Sequence, residues 1–116
     1  MDGIMDVGLR EYKQSSLRVA IPTGLPEHMQ PHMRELLSIQ SGNPRKGHAT
    51  GLMYQVCQEA DDACKTLIIH VEPFDEGMTQ EQLKKWYEKF GFVEIQTDPV
   101  LMMARQVQRN LILKRA

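Results

Sequence analysis

The first half of the chain alternates short apolar runs with clear turn signals. Residues 17–21 alternate apolar and polar side chains, which predicts a short strand ended by the proline that follows. Residues 33–40 contain an apolar run too short for a helix and predict a second strand. Residues 41–44, Ser-Gly-Asn-Pro, predict a break after that strand. Residues 27–32 predict a short helix or an irregular loop, and residues 1–16 predict no firm element.

The second half of the chain alternates helices with strands. Residues 49–62 place their apolar side chains on one face and predict an amphipathic helix. Residues 66–71 are β-branched and apolar, as in a central strand covered on both faces. Residues 79–90 predict a second helix that begins with a capping box and ends before a glycine. Strands follow at residues 92–96 and 100–107. The resulting order, β-α-β-α-β-β, predicts an α/β (α+β) fold with helices on a mixed sheet.

Composition narrows the class of protein. The 116 residues are enough for one domain, 1–116, with its core at about residues 33–107. A formal net charge of −1 gives no basic field that would attract nucleic acid. No apolar run approaches the length of a membrane span, and the first residues lack the pattern of a signal peptide, so we expect a cytoplasmic protein. Cys57 and Cys64 fit neither a disulfide framework nor a zinc site, and we expect free thiols, a buried Cys57 and no metal site.

Two short segments carry the candidate chemistry. Residues 44–49, Pro-Arg-Lys-Gly-His-Ala, form a small basic loop that opens the first predicted helix. Such a helix N-terminus offers backbone N–H groups to an anion. Residues 87–92, Tyr-Glu-Lys-Phe-Gly-Phe, end the second predicted helix and begin a strand. With the order of elements between them, the two segments resemble the core of the GCN5-related N-acetyltransferase (GNAT) family over residues 36–103.

The match to the motifs of this family is partial. The family loop reads Gln/Arg-x-x-Gly-x-Gly/Ala, and Gly47 and the alanine two residues later fit it, whereas Pro44 occupies its first position. The family helix carries a tyrosine shortly before a Gly-Phe pair, as Tyr87 does here. Gln80 and Leu83 stand where members often have Asn and Ala. The segment before the loop-bearing strand is also short, so we expect the substrate-side helices of typical members to be abbreviated or absent.

The resemblance implies a mostly antiparallel mixed sheet flanked by helices, and acetyl-CoA as cosubstrate without a metal. In the family, loop amides hold the pyrophosphate, and the pantetheine arm lies in a gap between two splayed strands. The residues that correspond here are Arg45, Lys46, Gly47, His48, Ala49 and Thr50 for the phosphates, and Leu37, Ser38 and Ile39 for the pantetheine arm.

The resemblance also implies direct attack of an amine on the thioester, with Tyr87 as general acid toward the leaving thiolate. Glu35, His70 and Glu72 are the candidates for a general base, because an attacking amine must lose a proton. Three of these four residues also have a purely structural interpretation. Tyr87 lies on the apolar face of its helix and is a possible core aromatic, His70 is a possible structural residue within its strand, and Glu72 stands at a strand end.

Three further expectations concern function and assembly. The leading hypothesis is an N-acetyltransferase acting on a primary amine that the sequence does not identify. The alternative is a degenerate GNAT-like module that binds coenzyme A or a protein partner without turnover, which the departures at Pro44 and Gln80 favour. A nucleic-acid-binding role is disfavoured by the neutral charge. A homodimer is expected, with the C-terminal strands or the apolar tail at residues 111–113 in the interface, because a shortened fold leaves a sheet edge and a helix face uncovered. The alternative is a monomer whose tail folds back over its own sheet.

Overall fold

A computed structural model describes residues 4–41, 47–72 and 79–108. Arg45 and Lys46 lie outside these ranges, as do Pro44 and the tail at residues 111–113. The described elements, in chain order, are β1 (Gly8–Tyr12), β2 (Ser15–Ala20), a 3-10 helix (Glu27–His32), β3 (Met33–Ser41), α1 (His48–Ala63), β4 (Thr66–His70), α2 (Gln80–Glu88), β5 (Val93–Gln96) and β6 (Met102–Arg105).

The strands form one sheet in the order β1-β2-β3-β4-β6-β5. β3 and β4 are parallel, joined through α1, and the other neighbouring pairs are antiparallel. The expected mixed, mostly antiparallel sheet with helices is therefore confirmed.

The N-terminal expectation was wrong. Residues 8–12 form β1, which pairs with β2 through a turn at Lys13 and Gln14, and β2 begins at Ser15 rather than at residue 17. β1 gives a weak signal in the sequence because it is an outer strand with no fully buried side chain. Such a strand is specified mainly by its pairing with β2, which is a tertiary contact.

The other predicted elements are confirmed with shifted ends. α1 begins at His48, one residue before the predicted start. α2 ends at Glu88, because hydrogen bonds from Phe90 N to Tyr87 O and from Gly91 N to Glu88 O tighten the chain beyond it. β6 is shorter than predicted. Residues 27–32 form a short helix rather than an irregular loop. The predicted capping box is present: Thr79 N donates to Gln82 Oε1, and Gln82 N donates to Thr79 Oγ1.

The core lies between the two helices and one face of the sheet. Its largest fully buried side chains are Tyr87, Phe92, Met5, Leu17, Leu36, Leu52, Met53, Leu67, Ile69, Leu83, Met103 and Val56. Both helices lie on this face and contact each other, since Trp86 Nε1 lies 3.4 Å from Thr50 Oγ1 and the rings of Tyr54 and Phe90 meet edge to face. Tyr87 is thus fixed between α2 and the sheet.

Gly51 has a packing role inside α1. A glycine inside a helix costs about 1 kcal/mol relative to alanine. Here a Cβ at Gly51 would lie 2.5 Å from the ring of Tyr12, so only glycine lets β1 pack this closely on the helix.

The opposite face of the sheet is not covered by α1 or α2. We call it the open face, and its side chains are Leu9, Arg18, Glu35, Leu37, Ile68, His70, Val93, Met102 and Ala104, which alternate with core residues along the strands. Leu9, Leu37 and Val93 are 49%, 37% and 59% exposed. Within the described ranges, no helix is long and apolar enough to cross a membrane.

Candidate functional site

A gap opens in the middle of the sheet where the two parallel strands separate. β3 and β4 pair from Met33 opposite Thr66 to Leu36 opposite Ile69, and the pairing stops there. β3 continues to Ser41, paired with β2. The second half of β3 therefore turns an edge toward the gap rather than toward β4.

A bulge at Ser38 explains why the strands separate. Ser16 pairs with Gln40 and Arg18 with Leu37, so two residues of β3 oppose one residue of β2. Ser38 has a φ of 53°, a left-handed conformation that a non-glycine residue rarely adopts. Bulges bend and twist a strand, and they concentrate near active sites. The alternation of apolar residues in β3 gave no sign of this bulge.

The gap contains a cleft of about 350 Å³. Its lining residues are Leu36, Leu37, Ser38, Ile39, Ile69, His70, Glu72 and Tyr87. The structure thus brings together the three residues expected for the pantetheine arm, the expected acid and two of the three candidate bases. The cleft reaches both faces of the sheet, since Tyr87 belongs to the core side and His70 to the open face.

Tyr87 forms the wall of the cleft on the helical side. It is 2% exposed, and its ring meets those of Trp86 and Phe92 edge to face. Burial raises the pKa of Tyr87 well above its ordinary value, because the phenolate would lose its solvation. The phenol is therefore protonated at neutral pH. This state suits a proton donor and excludes a phenolate base, and the burial equally fits a core aromatic.

His70 and Glu35 form a pair on the open face. His70 Nε2 lies 3.7 Å from Glu35 Oε2, close enough for an ion pair when the imidazole is protonated. The side chain of His70 is 45% exposed and that of Glu35 is 14% exposed. Glu72, which also lines the cleft, is exposed at the end of β4. Of the three candidate bases, His70 and Glu72 reach the cleft directly, and Glu35 contacts it through His70.

The predicted phosphate loop leads into the N-terminus of α1. Gly47 is the N-cap of this helix, with φ 71° and ψ 16°, and no atom of the described residues lies within 4 Å of the point where a Cβ would be. The first turn has no acidic residue, and His48, Ala49 and Thr50 are partly exposed in it. Its amides and the helix dipole therefore favour an anion at this end.

His48 adds a side chain to this helix end. Its Nδ1 is buried and finds no hydrogen-bond partner among the described residues. Its carbonyl accepts a hydrogen bond from Ser15 Oγ, which ties the first turn of α1 to β2. Unsatisfied buried nitrogens are uncommon, so the imidazole is a candidate contact for a bound group.

Gln80 is a site-related residue whose role the sequence did not indicate. Its Nε2 donates to Val71 O at 3.1 Å, and Val71 N donates to Leu101 O at 2.8 Å. These two bonds fix the end of β4 between His70 and Glu72. In the comparison with the family motif, Gln80 was only a departure from Asn. The sequence around residue 80 does not show which strand its side chain contacts.

Two other expectations concern thiols and metals. Cys57 is buried and both cysteines are free of disulfides, as expected. Burial raises the pKa of Cys57 to about 11, which leaves the thiol protonated and unreactive at neutral pH. In the described ranges, no group of three or more His, Cys, Asp or Glu side chains could hold a metal ion.

Comparison with known proteins supports the fold. No protein-family model matches the chain. No curated protein matches it either. The anti-CRISPR protein AcrVA5 superposes with a TM-score of 0.66 at 17% identity, over 85% of this chain and 98% of that protein. A protein from Desulfovibrio desulfuricans assigned to the GNAT acetyltransferases gives 0.57 at 11% identity, over 82% of this chain and 62% of its own.

A protein assigned as a phosphinothricin N-acetyltransferase is also similar. Its TM-score is 0.57 at 18% identity, over 83% of this chain and 62% of its own. This chain thus spans less than two thirds of the two acetyltransferases and nearly the whole of AcrVA5. The likeness shows that the chain has a GNAT-like fold, as the two sequence motifs indicated.

Proposed function

We propose that this protein is an acetyl-CoA-dependent N-acetyltransferase that transfers the acetyl group directly to a primary amine. The observation that carries the proposal is the cleft between β3 and β4, with the Ser38 bulge on one side and Tyr87 on the other. A fold alone does not define an activity, so the argument rests on the chemistry of the groups around this cleft.

Binding of acetyl-CoA is supported by the edge of β3 and by the N-terminus of α1. Beyond Leu36, no described strand pairs with the edge of β3 that faces the cleft, and an extended pantetheine arm carries amides that match such an edge. The open space at Gly47 allows a pyrophosphate to approach the backbone amides of α1. Arg45 and Lys46 adjoin this helix end in the sequence, and we assign them to the phosphates as well.

The base for the incoming amine is assigned to His70. The amine attacks in its neutral form, having lost its first proton to water. As its nitrogen bonds to the thioester carbon, the imidazole takes the second proton from that nitrogen, and Glu35, 3.7 Å away, stabilises the imidazolium that results. Glu72 is retained as the second candidate, since it also lines the cleft. The carbonyl oxygen of the thioester is stabilised by a backbone N–H of β3.

The acid for the departing sulfur is assigned to Tyr87. As the carbon–sulfur bond breaks, the thiolate takes the phenolic proton, and water or buffer restores it. The phenol is protonated at neutral pH, as a donor must be, and the pKa that burial raises makes Tyr87 a weaker acid toward the thiolate than an exposed tyrosine. Gln80 is assigned a positioning role, since its bond to Val71 O fixes the strand end that carries His70.

The proposal is tested by titration calorimetry with acetyl-CoA and by release of free thiol in the presence of a panel of amines. Binding together with amine-dependent thiol release supports the enzyme. The almost complete burial of Tyr87 is the observation that favours the alternative, a coenzyme A-binding module without turnover. Binding without thiol release for any amine supports that module, and absence of binding refutes both.

A further inference from the structure

We infer that Arg105 is a positioning residue for Tyr87, because its guanidinium ties the end of α2 that carries this tyrosine to both β6 and α1. The inference rests on the proposed function, since it takes the phenol of Tyr87 as the acid. Arg105 does not line the cleft, so it acts on the reaction through the position of that phenol and not by contact with the reacting groups.

The first argument is the way the turn after α2 is held. Tyr87 O accepts hydrogen bonds from Phe90 N at 3.0 Å and from Phe92 N at 3.4 Å, so the turn is built on the backbone of the tyrosine itself. The side chain of Arg105 holds the same turn from outside, because its Nε donates to Phe90 O. The guanidinium therefore fixes a residue whose amide is bonded directly to the backbone of Tyr87.

The second argument is the attachment of the same guanidinium to α1. Arg105 Nη1 and Nη2 donate to Asp61 Oδ1 and Oδ2 at 2.8 Å and 3.0 Å, which is a bidentate pair. Asp61 Oδ1 also accepts a hydrogen bond from Gln108 N, beyond the end of β6. The side chain of Arg105 is only 5% exposed, so water competes little for these bonds. One rigid planar group thus sets the spacing of β6, α1 and the end of α2.

The third argument comes from a second arginine pair on α1 that has no bond to α2. Arg10 of β1 donates to Glu59 through Nε and Nη2 at 2.9 Å and 2.7 Å, so it also joins a strand to a carboxylate of α1. Its other hydrogen bond among the described residues goes to Asp6 O. Both pairs hold α1 on the sheet, whereas only Arg105 continues to the segment that carries Tyr87.

The arrangement predicts a selective effect on the chemical step. A general acid must lie within hydrogen-bond reach of the atom that it protonates, and a misplacement of about 1 Å can cost about 100-fold in rate. The groups proposed to bind acetyl-CoA lie at β3 and at the N-terminus of α1, whereas Asp61 is near the C-terminal end of α1. A small shift at the end of α2 should therefore slow transfer and leave the binding of acetyl-CoA intact.

Arg105→Lys is the test variant. It keeps the positive charge, but one ammonium cannot take the place of a guanidinium that bonds Phe90 O and both oxygens of Asp61 at once. The full chain is assayed for thiol release at saturating acetyl-CoA, with the most active amine of the panel described above. We expect kcat to fall at least about tenfold. The KM for acetyl-CoA should stay within about twofold of the parent value.

Arg10→Lys is the matched control, because it makes the same change in an arginine pair of α1 that has no bond to α2. It should alter kcat less than about twofold. Thermal melts of both variants establish the temperature range in which each is folded, and the rates are measured within that range. If Arg105→Lys does not fold, Asp61→Asn is judged by the same criteria, since it releases the guanidinium from α1 and retains the size of the side chain.

The same substitution in the Tyr87→Phe background separates positioning from general stability. If Arg105 acts through the phenol, its substitution should change kcat less than about twofold once the phenol is gone. A loss of active protein through lower stability would instead reduce the rate by the same factor in both backgrounds. The comparison therefore measures whether the two residues act on one step.

The remaining outcomes have distinct meanings. An unchanged kcat in Arg105→Lys, an equal loss in both backgrounds, or an equal loss in Arg10→Lys overturns the inference and leaves the proposed function standing. Transfer at the parent rate by Tyr87→Phe alone overturns the proposed acid, and this inference with it. Absence of thiol release by the parent with every amine of the panel overturns the proposed enzyme and the inference together.

Discussion

Removal of one oxygen atom at Tyr87 separates the catalytic role of this residue from its structural role. In Tyr87→Phe the ring is retained, and with it the contacts to Trp86 and Phe92, whose ring centroids lie 5.0 Å and 5.8 Å away. The variant should therefore stay within about 1 kcal/mol of the parent in free energy of unfolding. Its cleft should keep its shape, and the affinity for acetyl-CoA should be unchanged.

Turnover is expected to respond very differently. General acid catalysis contributes about 10²- to 10⁴-fold, so loss of the phenol should raise the barrier by about 3 to 5 kcal/mol. The pH profile supplies a second signature. An acid must be protonated to act, and burial raises the pKa of Tyr87, so the alkaline loss of rate due to this group should begin above about pH 10.

The assay is thiol release at saturating acetyl-CoA, with calorimetric affinity and a thermal melt measured in parallel. Tyr54→Phe is the matched control, since Tyr54 is an exposed tyrosine of α1 outside the cleft. Single-turnover measurements verify that chemistry limits the rate. If Tyr87→Phe transfers the acetyl group as fast as the parent in a single turnover, Tyr87 is a core residue and the proposed acid is wrong.

The remaining predictions address binding, positioning, stability and assembly. Gly47→Val should weaken acetyl-CoA binding at least about tenfold by calorimetry. The φ of 71° at residue 47 also strains the valine variant by about 1 kcal/mol. Gly47→Asn controls for this strain, because asparagine tolerates that φ. Gln80→Ala should lower kcat with little effect on acetyl-CoA affinity, and should cost about 1 kcal/mol in chemical denaturation by leaving Val71 O unpaired; an unchanged kcat removes Gln80 from its positioning role. The raised pKa of Cys57 means that the unfolded chain loses this proton first, so stability should fall by about 2 kcal/mol between pH 9 and 11. Cys57→Ala should lack this part of the decline. A homodimer is expected at micromolar concentration by light scattering, because β5 is an edge strand with an exposed Val93; a monomer contradicts that expectation.

The sequence predicted only part of the candidate site. The motif at residues 87–92 and the choice of His70 and Glu72 as candidate bases identified side chains that line the cleft. The contact of Glu35 with His70 and the bond from Gln80 to Val71 O were not predicted, because each joins side chains to elements that the fold brings together. The catalytic and binding roles of all these residues stay predictions.

The sequence by itself determined the elements whose signals are local. α1, β4 and α2 follow from apolar periodicity within a few residues, and the capping box of Thr79 and Gln82 defines a helix start without help from the rest of the chain. The positive φ of Gly91 after α2 follows in the same way from glycine's freedom to adopt it.

Tertiary structure decided the features that depend on partners distant in sequence. β1 exists as a strand because β2 pairs with it, and the bulge at Ser38, which bends β3 away from β4, belongs to the pairing of β3 with β2. The open face likewise depends on both helices lying on one side of the sheet. A bulge, a splayed strand pair and a sheet face that neither α1 nor α2 covers are properties of how strands and layers meet. Sequence patterns, which depend on residues close together along the chain, do not record them.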